Sequence, residues 1–151
     1  MPDAPAKEVK IALITNHDPR FMEAADIRRA VFIEEQKVPS AMEWDPHDNV
    51  SAHLILYYLG KPAGTLRFYP DLNRQHIGRV AVLPEYRGRG FGKLLLERCL
   101  TEGRRLGFVR AILSSQSEKI GFYSAFGFQA AGEEFMEAGI LHRRMELSLD
   151  P

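Results

Sequence analysis

The run Val80-Ala81-Val82-Leu83-Pro84-Glu85-Tyr86-Arg87-Gly88-Arg89-Gly90-Phe91-Gly92-Lys93 constrains this chain more than any other stretch. A short apolar strand passes into a basic, glycine-rich turn, and the turn opens a helix. Gly88, Gly90 and Gly92 give the backbone conformations closed to residues with a Cβ. Their N–H groups can then converge on an anion at the positive end of the following helix. With Arg87, Arg89 and Lys93 interleaved, the turn reads as a phosphate cradle. A dinucleotide fingerprint requires G-x-G-x-x-G and a P-loop requires G-x-x-x-x-G-K-[ST]; neither spacing is present. A plain glycine-rich turn from strand to helix is the reading that needs no ligand.

Composition sets the frame around this motif. The chain has 151 residues, 45% of them hydrophobic and 26% charged, which suits a globular domain with a buried core. Twenty basic residues balance twenty acidic ones, so no global field recruits nucleic acid or an anionic membrane. The positive charge of the turn is local and suits a small anionic ligand. The N-terminus lacks the apolar segment of a signal peptide, and no run reaches the ~20 apolar residues of a membrane span. Cys99 is the only cysteine, which excludes an internal disulfide and a cysteine-built metal site. A soluble cytoplasmic protein without a metal is the expectation.

Residues 1–7 read as a loose tail and residues 8–151 as one domain. Within it, residues 9–14 alternate as a strand, and 24–34 follow helical spacing with Ala24, Ile27, Val31 and Phe32 on the buried side. Residues 39–49 form a long irregular connection of the kind that faces substrates. Strands at 52–59 and 63–69 flank the turn signal Gly60-Lys61-Pro62 as a hairpin. A strand at 77–83 leads into the glycine turn and a helix over 92–106, whose apolar face carries Leu95, Leu96, Cys99 and Leu100 and whose cap is Gly107. A strand at 109–114, a short helix at 118–126 and strands at 128–135 and 141–149 complete the order β-α-β-β-β-α-β-α-β-β. The strand–turn–helix–strand unit predicts a parallel crossover, hence an α+β fold with a mixed central sheet flanked by helices.

Residues 80–93 resemble motif A of the GCN5-related N-acetyltransferases (GNAT), whose signature is [RQ]-x-x-G-x-[GA]; here it reads Arg87-x-x-Gly90-x-Gly92. Gln116 and Tyr123, with Gly121-Phe122-Tyr123-Ser124-Ala125-Phe126-Gly127-Phe128, resemble the family's next motif. Arg29-Ala30-Val31-Phe32-Ile33-Glu34-Glu35-Gln36 and Gly139-Ile140-Leu141-His142 are similar to the ElaA/YjcF-like branch. The resemblance covers nearly the whole chain.

This resemblance implies transfer of an acetyl group from acetyl-CoA to a primary amine. It gives Val80, Ala81 and Val82 to the pantetheine arm, and Arg87, Gly88, Arg89, Gly90, Phe91, Gly92 and Lys93 to the pyrophosphate. Gln116 occupies the position of a cofactor-contacting Asn. Tyr123 matches the tyrosine that protonates the departing sulfur; its bland alternative is packing among Phe122, Phe126 and Phe128. Several relatives carry a glutamate on the strand before motif A, but residues 77–82 hold no carboxylate. Glu35 and His142 lead the candidate bases because they lie in branch-like segments. Glu34, Glu43, Asp45, His53 and a water relay complete the set.

Arg79 reads either as a group that orients an acidic or carbonyl function of the acceptor or as a surface ion pair. Trp44 reads as the wall of a pocket for a cation or as a loop anchor. Cys99 reads as a small buried hydrophobe. Acidic residues of the 39–49 loop suit a cationic acceptor, or are solvated loop charges. Direct attack in a ternary complex on a small-molecule amine is the expected reaction, with peptide amines and a non-catalytic acyl-CoA sensor as the rival readings. Relatives often pair, so a homodimer is one expected assembly.

Overall fold

The structure is a computed structural model of the chain and describes residues 8–150. The expected tail at residues 1–7 lies outside the described residues. Seven strands form one sheet: β1 (Val9–Ile14), β2 (Ala52–Tyr58), β3 (Lys61–Asp71), β4 (Arg74–Val82), β5 (Arg110–Gln116), β6 (Gln129–Glu137) and β7 (Ile140–Ser148). Their order is β1-β2-β3-β4-β5-β7-β6. Four α-helices accompany them: α1 (Phe21–Arg28), α2 (Ser40–Glu43), α3 (Phe91–Arg105) and α4 (Ile120–Ser124). All neighbouring strands are antiparallel except β4 and β5, so the mixed α+β sheet and its parallel unit stand as expected.

The run Leu54-Ile55-Leu56 shows why the centre of the sheet is apolar without alternation. Leu54 and Leu56 pack with Leu95 and Leu96 of α3 on one face. Ile55 packs with Ile14 and Ala24 on the α1 face. Helices therefore cover both sides, and successive residues of β2 are buried in opposite directions. Along α3, Leu95, Leu96, Cys99 and Leu100 all lie inside. Its end is a paired reverse turn: Phe108 N–H donates to Gly103 C=O and Gly107 N–H to Arg104 C=O, both at 3.1 Å, with Gly107 at φ +87°. Cys99 is wholly buried, and burial pushes its thiol up, so it packs as a small hydrophobe.

Gly103 allows α3 to close onto β4. Gln75 is buried there and donates from Nε2 to Cys99 C=O at 2.9 Å. A Cβ on Gly103 would overlap the Gln75 amide. Gly103→Ala is therefore expected to cost about 1–3 kcal/mol, read as a Tm loss of roughly 3–10 °C. An unchanged Tm would mean that the pinned Gln75 side chain has room to move.

Several boundaries differ from the sequence expectation for local reasons. The first hairpin turns at Leu59-Gly60, both with positive φ, and Lys61 and Pro62 already pair with Tyr58 and Tyr57. The register shift beside Tyr57 accommodates a proline with no N–H to donate. β4 starts at Arg74 rather than residue 77, because polar Gln75 faces the inside of α3. The expected 24–34 helix begins at Phe21 as α1 and continues as a π-helical segment, Arg29–Glu35. Ile27, Val31 and Phe32 still pack inward, against Val38 and Ala81. The 39–49 connection is less irregular than expected: it holds α2 and a 3-10 turn, Pro46–Asn49.

β4 and β5 pair only from Arg74/Arg110 to Ile77/Leu113. Beyond Ile77 the strands part, and residues 78–82 of β4 keep β3 as their only ladder neighbour. This parting opens the cleft in which the motif residues gather.

Candidate active site

The cleft has a volume of ≈ 740 Å³ and is lined from the glycine turn at one end to Arg67, Tyr69 and His76 at the other. Val80, Ala81 and Val82 form its β4 wall. After β4, a 3-10 turn at Pro84–Tyr86 leads into Arg87, and Gly88 and Gly90 take φ +78° and +81°. The first helical hydrogen bond into α3 is Leu94 N–H to Gly90 C=O, at 3.0 Å. The six N–H groups of residues 88–93 make no hydrogen bond among the described residues. A row of free N–H groups at the start of a fifteen-residue helix is an anion site by construction.

The side chains of the turn divide the work. Lys93 is exposed at the cleft. Phe91 is buried in the core, and Arg89 holds its guanidinium 5.2 Å from the Tyr58 ring centre, so both present backbone to the turn. Arg87 donates from Nε to Val82 C=O at 2.9 Å and grips Glu35 with two bonds of 2.8 and 2.7 Å. Glu35 is thereby committed: its hydrogen bonds from Arg87 hold its carboxyl below the usual range, which makes it a poor proton acceptor. The π-helical segment brings it there, together with Gln36, whose side-chain oxygen accepts from Gln116 Nε2 at 2.8 Å.

Tyr123 stands on α4 with its ring edge-on to Phe122 at 5.0 Å and Phe128 at 6.0 Å. The packing and the cleft-facing positions of the sequence reading thus coincide in one residue, which is 7% exposed and lines the cleft. Burial pushes its phenol up, so the group is protonated at neutral pH. His142 on β7 is paired with Gln116 of β5 and Phe135 of β6. Its Nδ1 lies 2.7 Å from Ile140 C=O, and its ring stacks on Phe135 at 5.9 Å. A carbonyl partner assigns the proton to Nδ1 and leaves the Nε2 lone pair free. Glu137 Oε2 is 3.9 Å from Nε2.

The far end of the cleft holds what the sequence did not reveal. Arg28, Arg67 and Arg79 interlock with Glu43, Asp45 and Asp48. Arg28 bonds Glu43 at 2.7 Å and Asp48 at 2.8 Å; Arg67 bonds Asp45 at 2.7 Å and Asp48 at 2.8 Å; Arg79 meets Glu43 at 3.0 Å and Asp45 at 3.1 Å. Burial works to raise all three carboxyls. Against it, Arg67 holds Asp45 low, and Arg28 with Arg67 holds Asp48 low; for Glu43 burial wins, and its carboxyl is raised. Glu43 and Asp48 are buried and Asp45 is half-buried, and arginine engages all three, so they are not the freely solvated charges of the plain loop reading. Trp44 is an anchor, stacked under Arg28 at 4.9 Å and Arg29 at 5.8 Å. His53 is buried against Phe21, with Nε2 3.2 Å from Asp48 C=O, and Glu34 is exposed; neither lines the cleft.

Three rings also went unnoticed. His47, Tyr69 and His76 form a stack, 4.3 Å between the first pair and 4.7 Å between the second. One signal was available for the ion network: Arg28 shares helical spacing with Ala24, Ile27 and Val31, an arginine on an apolar face. Among the described residues no group of three or more His, Cys, Asp or Glu is arranged to hold a metal, and no helix is long and apolar enough to cross a membrane.

A mixed sheet whose parallel strands part beside an N–H-lined turn defines an N-acyltransferase fold and cleft. Residues 8–149 match the model of the acetyltransferase (GNAT) domain, and the chain belongs to that family of enzymes, which act on amine acceptors. It is 33% identical to the uncharacterized N-acetyltransferase YjcF of Bacillus subtilis over 138 residues, 89% of this chain and 96% of that protein. The structure of Escherichia coli ElaA superposes with a TM-score of 0.82 at 24% identity, covering 91% of this chain and 98% of the other. A GNAT family acetyltransferase from Elizabethkingia anophelis, solved with acetyl-CoA bound, shares the fold at a TM-score of 0.72 and 14% identity, covering 93% and 98%. YjcF and ElaA agree with the branch indicated by residues 29–36 and 139–142.

Proposed function

We propose that the protein moves the acetyl group of acetyl-CoA to a primary amine of a small molecule, by direct attack within a ternary complex. The observation that carries this reading is the open β4 edge at residues 78–82 beside the six unengaged N–H groups of residues 88–93. An extended amide-bearing arm fits that edge as an added strand, and a pyrophosphate fits the N–H row. The acetyl-CoA-bound neighbour of the same fold supports the same donor. A cleft of ≈ 740 Å³ that the donor must share favours a small acceptor over a protein surface.

Acetyl-CoA supplies an activated thioester; this chain supplies the proton chemistry around it. His142, with Nδ1 tied to Ile140 C=O, takes the proton that the acceptor must lose. A backbone N–H on the β4 edge near Val82 stabilises the oxyanion that develops as nitrogen bonds to carbon. Tyr123 gives a proton to the sulfur as the carbon–sulfur bond breaks. A phenol of pKa ~10 is a weak donor to a thiolate of pKa ~8.5 in water. Burial strengthens the hold of both groups on a proton, because it penalises either anion. A short hydrogen bond between them therefore stabilises the leaving group.

Turnover with a pooled panel of primary amines, read by mass spectrometry as a gain of one acetyl group, tests the proposal. His142→Gln is expected to lower kcat by about 100-fold. Glu35→Gln removes the Arg87 grip and is expected to act on the Michaelis constant for acetyl-CoA, by about tenfold or less. The reverse pattern would exchange the roles of these two residues.

A further inference from the structure

We infer that the acceptor is an amine that also carries a carboxylate, an amino-acid-like molecule, and that Arg79 is the residue that selects it. This rests on the acetyltransfer reading above and names the substrate class of the same site. Three observations lead to it.

Arg79 is held in a costly conformation. Between Thr65 and Arg67 the β3–β4 register shifts, so that Leu66 faces an extra residue of β4. Arg79 sits in this bulge at φ +54°. A side chain is strained in the left-handed region, where glycine would sit freely. The bulge turns the arginine into the cleft, where it is 24% exposed.

Its hydrogen bonds are one-sided. Nε meets Glu43 Oε2 at 3.0 Å, and Nη2 reaches Glu43 C=O at 3.0 Å and Asp45 Oδ2 at 3.1 Å. Nη1 makes no hydrogen bond among the described residues and is not a sealed buried atom. One edge of a fixed guanidinium is thus aimed and unengaged.

No carboxylate is free at this end to receive a cation. Both oxygens of Glu43, of Asp45 and of Asp48 are taken by arginine. The rings of His47 and His76, stacked on Tyr69, make no hydrogen bond among the described residues, and each neutral ring brings one N–H donor and one acceptor nitrogen to the same wall. The far end of the cleft therefore offers an unused guanidinium edge and no unused carboxylate. A polyamine finds no counter-charge there. A carboxylate finds a guanidinium edge already oriented, and a planar group finds the ring stack. Two acids outside the arginine network, Glu118 and Glu137, also line the cleft, and Glu137 lies beside His142, where an ammonium arrives before it loses its proton.

The test compares matched acceptor pairs with acetyl-CoA saturating: L-phenylalanine with phenethylamine, L-leucine with isoamylamine, and β-alanine with ethylamine. The ratio of kcat/KM within each pair is the readout. The preferred carboxylate is expected to exceed its decarboxylated partner by at least about tenfold. Arg79→Gln is expected to collapse that ratio at least about tenfold, chiefly through the acceptor KM, while Arg79→Lys restores part of it. Partners used equally well or better by the wild type would overturn the inference, as would a ratio unchanged in Arg79→Gln. If Arg79→Gln does not fold, the wild-type ratio and Arg79→Lys decide. Turnover of amines without a carboxylate preference leaves the acetyltransfer reading standing and removes this one; no turnover with any amine removes both.

Discussion

Tyr123→Phe is expected to lower kcat by about 100-fold or more while leaving acetyl-CoA affinity within about twofold. The substitution is clean because the phenol oxygen has no hydrogen-bond partner among the described residues, whereas the ring does the packing. Phenylalanine keeps the edge-on contacts with Phe122 and Phe128, so the Tm should stay within about 2 °C. On the proposed mechanism, what is removed is the proton donor at the point where the carbon–sulfur bond breaks. With thioester cleavage limiting the rate, the loss falls on kcat. Unchanged turnover under chemistry-limited conditions would assign Tyr123 to packing alone.

The largest stability effect is expected at Arg28, which is 1% exposed and joins Glu43 and Asp48. Arg28→Met keeps the helix propensity and the apolar stem but strips two buried carboxylates of a partner. Breaking a buried ion pair from one side costs about 3–5 kcal/mol, which is roughly a 10 °C loss of Tm at this chain length. Acid sharpens the contrast. The folded pKa values of Asp45 and Asp48 are depressed, so their contribution is present above the unfolded value near 4 and is lost as pH falls through the folded values. Glu43 has the opposite sign: its carboxyl is raised by burial, and its share is lost as pH rises through its folded value. Arg28→Met should therefore move the acid-unfolding midpoint upward. A Tm within about 3 °C of wild type would contradict an interlocked network.

The half of the cleft proposed to take the donor was legible because its information is local. Alternating glycines, an apolar strand before them and an amphipathic helix after them all fall within one stretch of chain, and residues 80–93 fold as that stretch requires. The element order was legible for the same reason. The half proposed for the acceptor depends on tertiary pairing. Glu43, Asp45 and Asp48 read as loop charges until β3 and β4 set Arg67 and Arg79 opposite them. Arg79 could be singled out as facing away from its apolar neighbours, but the bulge that aims it is a register shift and leaves no local signature. His76 was passed over because β4 was started at residue 77, and the ring stack disappeared with it. Glu35 looked available as a base because its partner, Arg87, is fifty-two residues away in the chain.

The most direct measurement of the central claim is amine-dependent release of the coenzyme A thiol, matched against N-acetylated product. Purified protein is saturated with acetyl-CoA and offered a broad set of primary amines. We predict one thiol released for each acetylated amine, and none above spontaneous hydrolysis when amine is left out. Tight acetyl-CoA binding with no amine-dependent thiol release across the whole set would contradict catalysis and make the cleft a sensor of its cofactor.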